Sequence, residues 1–156
     1  MATTALILAQ AVIVFGFALW ATIATANNLR DFKGSAFVIG ATMSMSLLDE
    51  HPMIATPLKR RRITNPVWSR LAVALIAAIQ LCIAILLWTS TAFFVFGEPQ
   101  SARILATLGL VGLIGLCFIF LLGGMWFAYW IRQDVLQLTH IGLLASALVA
   151  LMMMQL

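Results

Sequence analysis

The chain has 156 residues, of which 63% are hydrophobic and only 9% are charged, and its mean hydropathy is +1.09. Too few residues are polar to cover the surface of a water-soluble protein. The composition therefore excludes a soluble fold and predicts an integral membrane protein. The net charge of +4 does not indicate a nucleic-acid partner, because no aromatic platform or base-reading element accompanies the basic residues.

Four long apolar blocks predict an all-α fold, with four transmembrane helices in a single membrane domain over residues 1–156. Crossing about 30 Å of hydrocarbon takes about 20 helical residues, and each block is at least that long. We expect Asn27 and Asn28 to cap the first helix, Asn65 and Pro66 to begin the second, and Asp134 to cap the fourth. The blocks are residues 4–26, 66–96, 102–130 and 135–156.

The first loop, residues 27–65, contains a shorter apolar stretch over residues 35–48. This stretch is too short and too rich in Ser, Thr and Gly to cross a bilayer. Its apolar residues recur at helical spacing, which predicts a short interfacial helix that lies on the membrane or against another subunit. These apolar residues are Phe37, Val38, Ala41, Met45 and Leu48.

The basic residues predict the orientation of the chain. All of them except Arg103 lie in the first and third loops or their flanks, and cytoplasmic loops carry the excess of Lys and Arg. Loops 27–65 and 131–134 are therefore predicted to be cytoplasmic and both termini to lie on the opposite side. The densest run could also bind anionic lipid headgroups. That run is Lys59, Arg60, Arg61 and Arg62.

His140 is the candidate cofactor-binding residue. It lies about two turns into the fourth span, where an imidazole can ligate haem or a chlorophyll-type magnesium, or relay protons. The other histidine, His51, lies in the first loop, which excludes a haem held between two histidines of this chain. The favoured interpretation is a hydrogen bond from His140 to a neighbouring helix or interfacial water. A bound haem, pigment or quinone is the alternative.

Glycines in the third span predict close helix packing. The first three recur every third residue and together open a shallow face without side chains. A neighbouring helix is the expected occupant of that face, and a flat cofactor or lipid tail is the alternative. Trp126, Tyr129 and Trp130 are expected to anchor the end of this span at the membrane interface. The glycines are Gly109, Gly112, Gly115, Gly123 and Gly124.

The remaining polar residues within the spans predict packing rather than chemistry. Gln10 and Gln80 are expected to form hydrogen bonds between helices, and Cys82 and Cys117 to be buried, reduced thiols. No carboxylate pair or nucleophile–base arrangement is evident, and no Asp, Glu, Lys or Arg lies deep in a span. We therefore predict neither an enzyme nor a metal site, and no required cofactor.

Several short motifs resemble a bacterial family of predicted small integral membrane proteins of unknown function. They are residues 27–31, 36–38, 43–45 and 123–130. The resemblance implies four helices, an interfacial segment after the first, and no assigned activity. A bacterial source together with the distribution of the basic residues predicts the bacterial cytoplasmic (inner) membrane, with both termini in the periplasm. The family pattern has acidic residues where this chain has Gln80 and Met125, so a function that needs those carboxylates is not implied.

The leading functional hypothesis is a non-catalytic accessory subunit of a larger bacterial membrane complex, such as a respiratory or photosynthetic one. Its expected partners are other integral membrane subunits and anionic lipids. One alternative is a small channel or carrier that functions as an oligomer. Another is a haem-, pigment- or quinone-binding subunit that uses His140.

Overall fold

The computed structural model describes residues 2–156, which form a bundle of four long helices with a short helix at one end. The long helices are α1 (Ala2–Arg30), α3 (Pro66–Val95), α4 (Pro99–Trp126) and α5 (Asp134–Met154), and the short one is α2 (Phe32–Ser44). Short 3₁₀ turns occupy Ser46–Leu48, Pro57–Arg61 and Tyr129–Ile131. Within residues 2–156 there is no strand, and the four long helices can each cross a membrane, which confirms the predicted fold class.

The long helices run alternately up and down, and each packs against its neighbour in the order α1, α3, α4, α5. Helices α1 and α5 touch over only a short segment. One end of the bundle therefore gathers the last turns of α1 and α4 and the first turns of α3 and α5. We call this the basic end, because it carries the cations of the first and third connections.

Three of the spans are longer than the hydrocarbon layer requires. At 1.5 Å per residue, α1, α3 and α4 are each about 42–45 Å long, whereas α5 is about 32 Å long. The hydrocarbon core is about 30 Å thick, so α5 just spans it and the other three project beyond it or tilt. The chain is thus a multi-pass integral membrane protein.

The core lies along the contact between α3 and α4, with α1 and α5 packed beside it. Leu87 of α3 and Leu110 and Leu113 of α4 are fully buried, and Ala18 and Ala21 of α1 pack against the same cluster. Because the neighbouring lipid is as apolar as this core, close van der Waals packing rather than water exclusion holds the helices together.

The first helix is longer than predicted, since it continues through Asn27 and Asn28 to Arg30. The expected cap by these two asparagines is therefore wrong. Asp31 follows as the only non-helical residue before α2, and its carboxylate accepts a hydrogen bond from the Gly34 backbone N–H at 3.0 Å. This N-cap starts α2 at Phe32, three residues before the predicted residue 35.

Helix α2 ends at Ser44, where Met45 adopts a left-handed conformation with φ of 54°, and Leu48 completes a 3₁₀ turn. It packs on α3 through small residues, because Ala36 is buried and Gly40 faces Ser69. The larger Phe37 points outward and is 77% exposed. The helix therefore covers the start of α3 with its small face and offers apolar side chains to its surroundings.

The other helix ends follow their caps closely. Asn65 caps α3 by accepting a hydrogen bond from the Val67 N–H at 3.0 Å, with Pro66 at the first helical position, which confirms the predicted start. Asp134 is the first residue of α5, and Gln133 holds the cap position, so the predicted capping role of Asp134 is wrong. Its carboxylate still lies in the first turn, where the helix dipole favours negative charge.

Candidate functional site

A cavity of about 370 Å³ lies at the basic end and is bordered by all five helices. We call it the His140 pocket. Its wall is mainly apolar, with residues such as Ile39, Ile76, Phe120 and Leu136. Five uncharged polar side chains also line it, and these are Asn28, Thr42, Gln80, Tyr129 and His140. A volume of this size and a few convergent polar groups in an apolar wall are typical of small-molecule sites.

Tyr129 reaches the pocket because the chain reverses directly after α4. Helix α4 ends at Trp126, and Ala128 adopts a left-handed conformation with φ of 54°. The Tyr129 ring then lies on Gly124, where an added Cβ would be only 2.5 Å from the ring atom Cε1. Gly124 is therefore needed to admit the ring.

This reversal contradicts the predicted interfacial role of Tyr129. The side chain is only 4% exposed, and its hydroxyl has no hydrogen-bond partner within residues 2–156. Trp126 and Trp130 remain exposed, as expected for interfacial residues, but they no longer share one helix. The nearby glycine pair was the sequence signal that this tyrosine could be buried.

His140 enters the pocket from α5 and lies in a stack of aromatic rings. Its ring centroid is 4.7 Å from that of Phe120 and 6.1 Å from that of Tyr129, with interplanar angles of 26° and 19°. Its Nδ1 atom is buried and finds no hydrogen-bond partner in the described chain. Within the described chain this atom therefore has no hydrogen bond to a neighbouring helix, and the predicted bond to interfacial water stays a prediction.

Two interhelical hydrogen bonds border the pocket. Asn28 of α1 donates from Nδ2 to Oε1 of Gln80 on α3 at 2.8 Å, which confirms the predicted interhelical role of Gln80. Thr42 of α2 donates to Oε1 of Gln133, just before α5, at 3.0 Å. These bonds fix α1 to α3 and α2 to the start of α5, so they hold the walls of the pocket in place. Sequence reasoning missed Asn28, which had been interpreted as a helix cap.

The pocket has two polar atoms ready to bond a ligand. The Tyr129 hydroxyl can donate one hydrogen bond and accept another, and burial raises the pKa of this phenol, so it keeps its proton at neutral pH. The Nδ1 atom of His140 donates or accepts according to the tautomer. Together they can hold an uncharged oxygen-bearing group, whereas the described lining residues include no Asp, Glu, Lys or Arg that would offer a full charge to an ion.

The basic run Lys59 to Arg62 occupies the 3₁₀ turn and its end beside the basic end of the bundle. Lys59 is bound within the loop, because its Nζ lies 2.7 Å from Asp49 Oδ1. That hydrogen bond holds the pKa of Asp49 below its ordinary value. Arg61 stacks over the Trp126 ring, with its Cζ 4.6 Å from the ring centroid. Arg60, Arg61 and Arg62 are exposed, so their charges face the surroundings.

The five predicted packing glycines do not share one role. Added Cβ atoms at Gly109 and Gly112 would lie 2.7 Å from Leu87 and 3.2 Å from Ile83, so both glycines admit close contact with α3. At Gly115 and Gly123 an added Cβ would meet nothing within 4 Å. Gly123 borders the His140 pocket, and Gly115 faces outward. Of the first three glycines, Gly109 and Gly112 therefore face the core and Gly115 faces the surface, so the three do not form one packing face.

The two cysteines differ in environment. Cys117 is buried in the core, as predicted, but Cys82 is exposed, so its predicted burial is wrong. Within residues 2–156, no group of three or more His, Cys, Asp or Glu side chains is placed to hold a metal ion.

At the opposite end of the bundle, Gln10 forms a second polar cluster. It is fully buried, donates to the Met153 carbonyl at 2.7 Å, and accepts a hydrogen bond from Arg103 Nε at 3.0 Å. The predicted interhelical role of Gln10 is therefore confirmed. The cluster joins α1, α4 and α5, and it satisfies one of the free carbonyls in the last turn of α5.

Comparison with known protein families gives a match over nearly the whole chain. A family model described as "Predicted small integral membrane protein (DUF2165)" matches residues 6–156, which is nearly the whole chain. Neither the comparison with curated proteins nor the comparison with solved structures gives a match. Four apolar helices and this match agree, and the chain belongs to that family of small integral membrane proteins.

Proposed function

We propose that this protein is a non-catalytic binding protein that holds a lipid-soluble ligand in the His140 pocket within the membrane. One observation carries the proposal: the Tyr129 hydroxyl and the His140 Nδ1 are both buried, both border the same pocket, and both lack a partner within residues 2–156. Buried polar atoms in folded proteins are almost always hydrogen-bonded. A ligand with oxygen atoms would satisfy both.

The exposure of the pocket wall supports entry from the lipid phase. Val38 of α2 and Ile119 of α4 border the pocket and are 53% and 51% exposed. Both side chains are apolar, so the open side of the pocket offers a route for an apolar molecule. A ligand that partitions into the bilayer can enter sideways between these helices without crossing water.

The chemistry of the wall favours binding over catalysis. Within the described chain, no Asp, Glu, Lys or Arg lines the pocket, and His140 is the one imidazole among its lining residues. General acid–base or nucleophilic catalysis needs a base oriented by a further group, and here the Nδ1 of His140 lacks such a partner. A binding role needs only shape and hydrogen-bonding groups.

The test compares two equivalent substitutions on α4. Gly123→Leu should fill the pocket, because an added side chain there meets open space and the residue borders the cavity. Gly115→Leu is the control, because it also meets open space but lies outside the pocket. Solvent extraction of the purified proteins, followed by mass spectrometry, should show a lipid-soluble compound with the wild type and Gly115→Leu only. Equal amounts in all three proteins would refute the proposal.

We further propose that the protein lies in the bacterial inner membrane with both termini in the periplasm. The cations of the first and third connections support this orientation, because they gather at the basic end of the bundle. A C-terminal alkaline phosphatase fusion should be active, since that enzyme folds only in the periplasm. An active fusion in the loop around residue 51 instead would reverse the orientation.

A second candidate function is an accessory subunit of a larger membrane complex. The outward-facing Gly115 supports it, because small residues let helices of different subunits approach closely. Gly115→Leu should then remove partner proteins that co-purify with the wild type in mild detergent. Gly16→Leu, at an equally open position on α1, should retain them. If the wild type purifies as a monomer without a stoichiometric partner, this role is excluded.

The channel or carrier alternative requires several copies of the chain. Large side chains fill the space between α3 and α4, among them the fully buried Leu87, Leu110 and Leu113, so a pore would have to lie between copies. Ion or solute flux through reconstituted liposomes would test this alternative. An absence of flux at any protein density would exclude it.

We also propose that the exposed part of the basic run binds anionic lipid headgroups. Arg60, Arg61 and Arg62 are exposed beside the basic end, and each such cation contributes about 1 kcal/mol near an anionic surface. Lys59 contributes less, because it is already paired with Asp49. Replacing the three arginines by glutamine should abolish the co-purification of anionic lipid in native mass spectrometry, whereas Lys59→Gln should retain most of it.

A further inference from the structure

The aromatic stack in the His140 pocket favours a ligand with a flat ring. The rings of Phe120, His140 and Tyr129 are within 26° of parallel in each measured pair. A planar ring can continue such a stack or lie along its edge, and aromatic pairs of this kind attract each other beyond the effect of their buried area. A flexible acyl chain gains nothing from this arrangement.

The two unpaired atoms favour ring oxygens as the polar part of the ligand. A carbonyl oxygen of the ligand can accept a hydrogen bond from the Tyr129 hydroxyl, or from His140 Nδ1 when that nitrogen carries the hydrogen. A hydroxyl group on the ligand ring can instead donate to the Tyr129 oxygen, or to Nδ1 when that nitrogen carries no hydrogen. A phospholipid headgroup fits less well, because the described residues that line the pocket include no Lys or Arg to neutralise a phosphate.

The depth of the pocket favours an amphipathic ligand with a long apolar tail. His140 lies six residues into α5, which places it about 9 Å from the basic end of that helix. The polar atoms therefore sit about halfway through one leaflet of the hydrocarbon layer, while the exposed side chain of Ile119 leads from the pocket toward the lipid. A head at this depth leaves more than half of the hydrocarbon layer for its tail.

From these three features we infer that the His140 pocket binds a quinone or its quinol, with the ring against the aromatic stack, its oxygens on Tyr129 and His140, and its tail in the bilayer. This inference rests on the proposed function, because it names the class of ligand that the same pocket holds. Ligands with other chemistry would leave the binding function intact while overturning this assignment.

The test uses nanodiscs of synthetic phosphatidylcholine with increasing amounts of decylubiquinone, and native mass spectrometry counts the bound molecules. The wild type should bind one molecule per chain. Tyr129→Phe and His140→Phe retain the rings but remove one hydrogen-bonding atom each, and each should weaken binding about tenfold. Thr139→Val is the control and should bind normally, because the Thr139 hydroxyl bonds only to its own helix, at the Val135 carbonyl.

Decylbenzene, which lacks the ring oxygens, separates the two proposals. Weak or absent binding of decylbenzene supports the quinone assignment. If decylbenzene binds as tightly as decylubiquinone and Gly123→Leu blocks both, the pocket binds apolar ligands and the quinone assignment is overturned. If neither compound binds the wild type at one per chain, the quinone assignment is overturned, and the solvent extraction of wild type and Gly123→Leu decides the proposed function separately.

Discussion

Tyr129→Phe should stabilise the protein when the pocket is empty. Tyr129 is only 4% exposed, and its hydroxyl has no hydrogen-bond partner within residues 2–156. Leaving a buried polar group unpaired costs about 1–3 kcal/mol, and phenylalanine removes this group while it keeps the ring on Gly124. We expect a gain of about 1 kcal/mol, which for a chain of this size raises the melting temperature by about 2–4 °C.

The assay is thermal unfolding of purified protein in nanodiscs of synthetic phosphatidylcholine without quinone. Ser90→Ala is the matched control, because the Ser90 hydroxyl is also fully buried but donates to the Ala102 carbonyl at 2.7 Å. Its removal should cost about 1 kcal/mol, since it breaks a satisfied hydrogen bond. Each substitution removes one buried hydroxyl. If Tyr129→Phe raises the melting temperature and Ser90→Ala lowers it, the difference arises because the Ser90 hydroxyl has a hydrogen-bond partner and the Tyr129 hydroxyl has none.

Adding decylubiquinone should reverse the order of the melting temperatures of the wild type and Tyr129→Phe. The wild type should gain more stability than Tyr129→Phe, because a ligand that binds only the folded state stabilises it more when it binds more tightly. If Tyr129→Phe lowers the melting temperature of the empty protein as much as Ser90→Ala does, the hydroxyl has a partner. The reasoning behind the pocket would then be refuted.

Three further predictions concern other parts of the structure. Gln10→Leu should cost about 1–3 kcal/mol in thermal unfolding, because it leaves a guanidinium and a helix carbonyl unpaired; an unchanged melting temperature would contradict the cluster. Gly109→Ala should also destabilise the bundle, since its Cβ would lie 2.7 Å from Leu87, whereas Gly115→Ala should not; equal effects would contradict the contact. The pKa of Asp49 is lowered from 3.8 by the Lys59 hydrogen bond, so this ion pair supports the folded loop above about pH 4, and its contribution is lost as the pH falls through the lowered pKa. Limited proteolysis of the loop should therefore speed up in the wild type on acidification but stay nearly constant in Asp49→Asn; parallel pH profiles would contradict the pairing.

The number and type of the long helices could be predicted from the sequence. Hydrocarbon about 30 Å thick requires about 20 apolar residues per span, so the apolar blocks alone indicate four crossings. The Asn65–Pro66 start of α3 was equally predictable, because capping is a local interaction. The end of α4 was not, because residues 127–130 are as apolar as the helix before them. The left-handed turn at Ala128, which places Tyr129 on Gly124, depends on contacts between residues, and the glycine pair in the sequence does not indicate where the chain turns.

Less of the candidate site than of the fold could be predicted from the sequence. His140 could be singled out as an isolated polar residue in a span, but its partners in the pocket could not be predicted. In a soluble helix, polar and apolar residues mark the outer and inner faces, whereas lipid and core are both apolar here, so the sequence does not indicate which face packs inward. By itself, the sequence determined that the chain crosses a membrane four times. Only the tertiary structure decided that Asn28, Tyr129 and His140, from three separate segments, border one pocket.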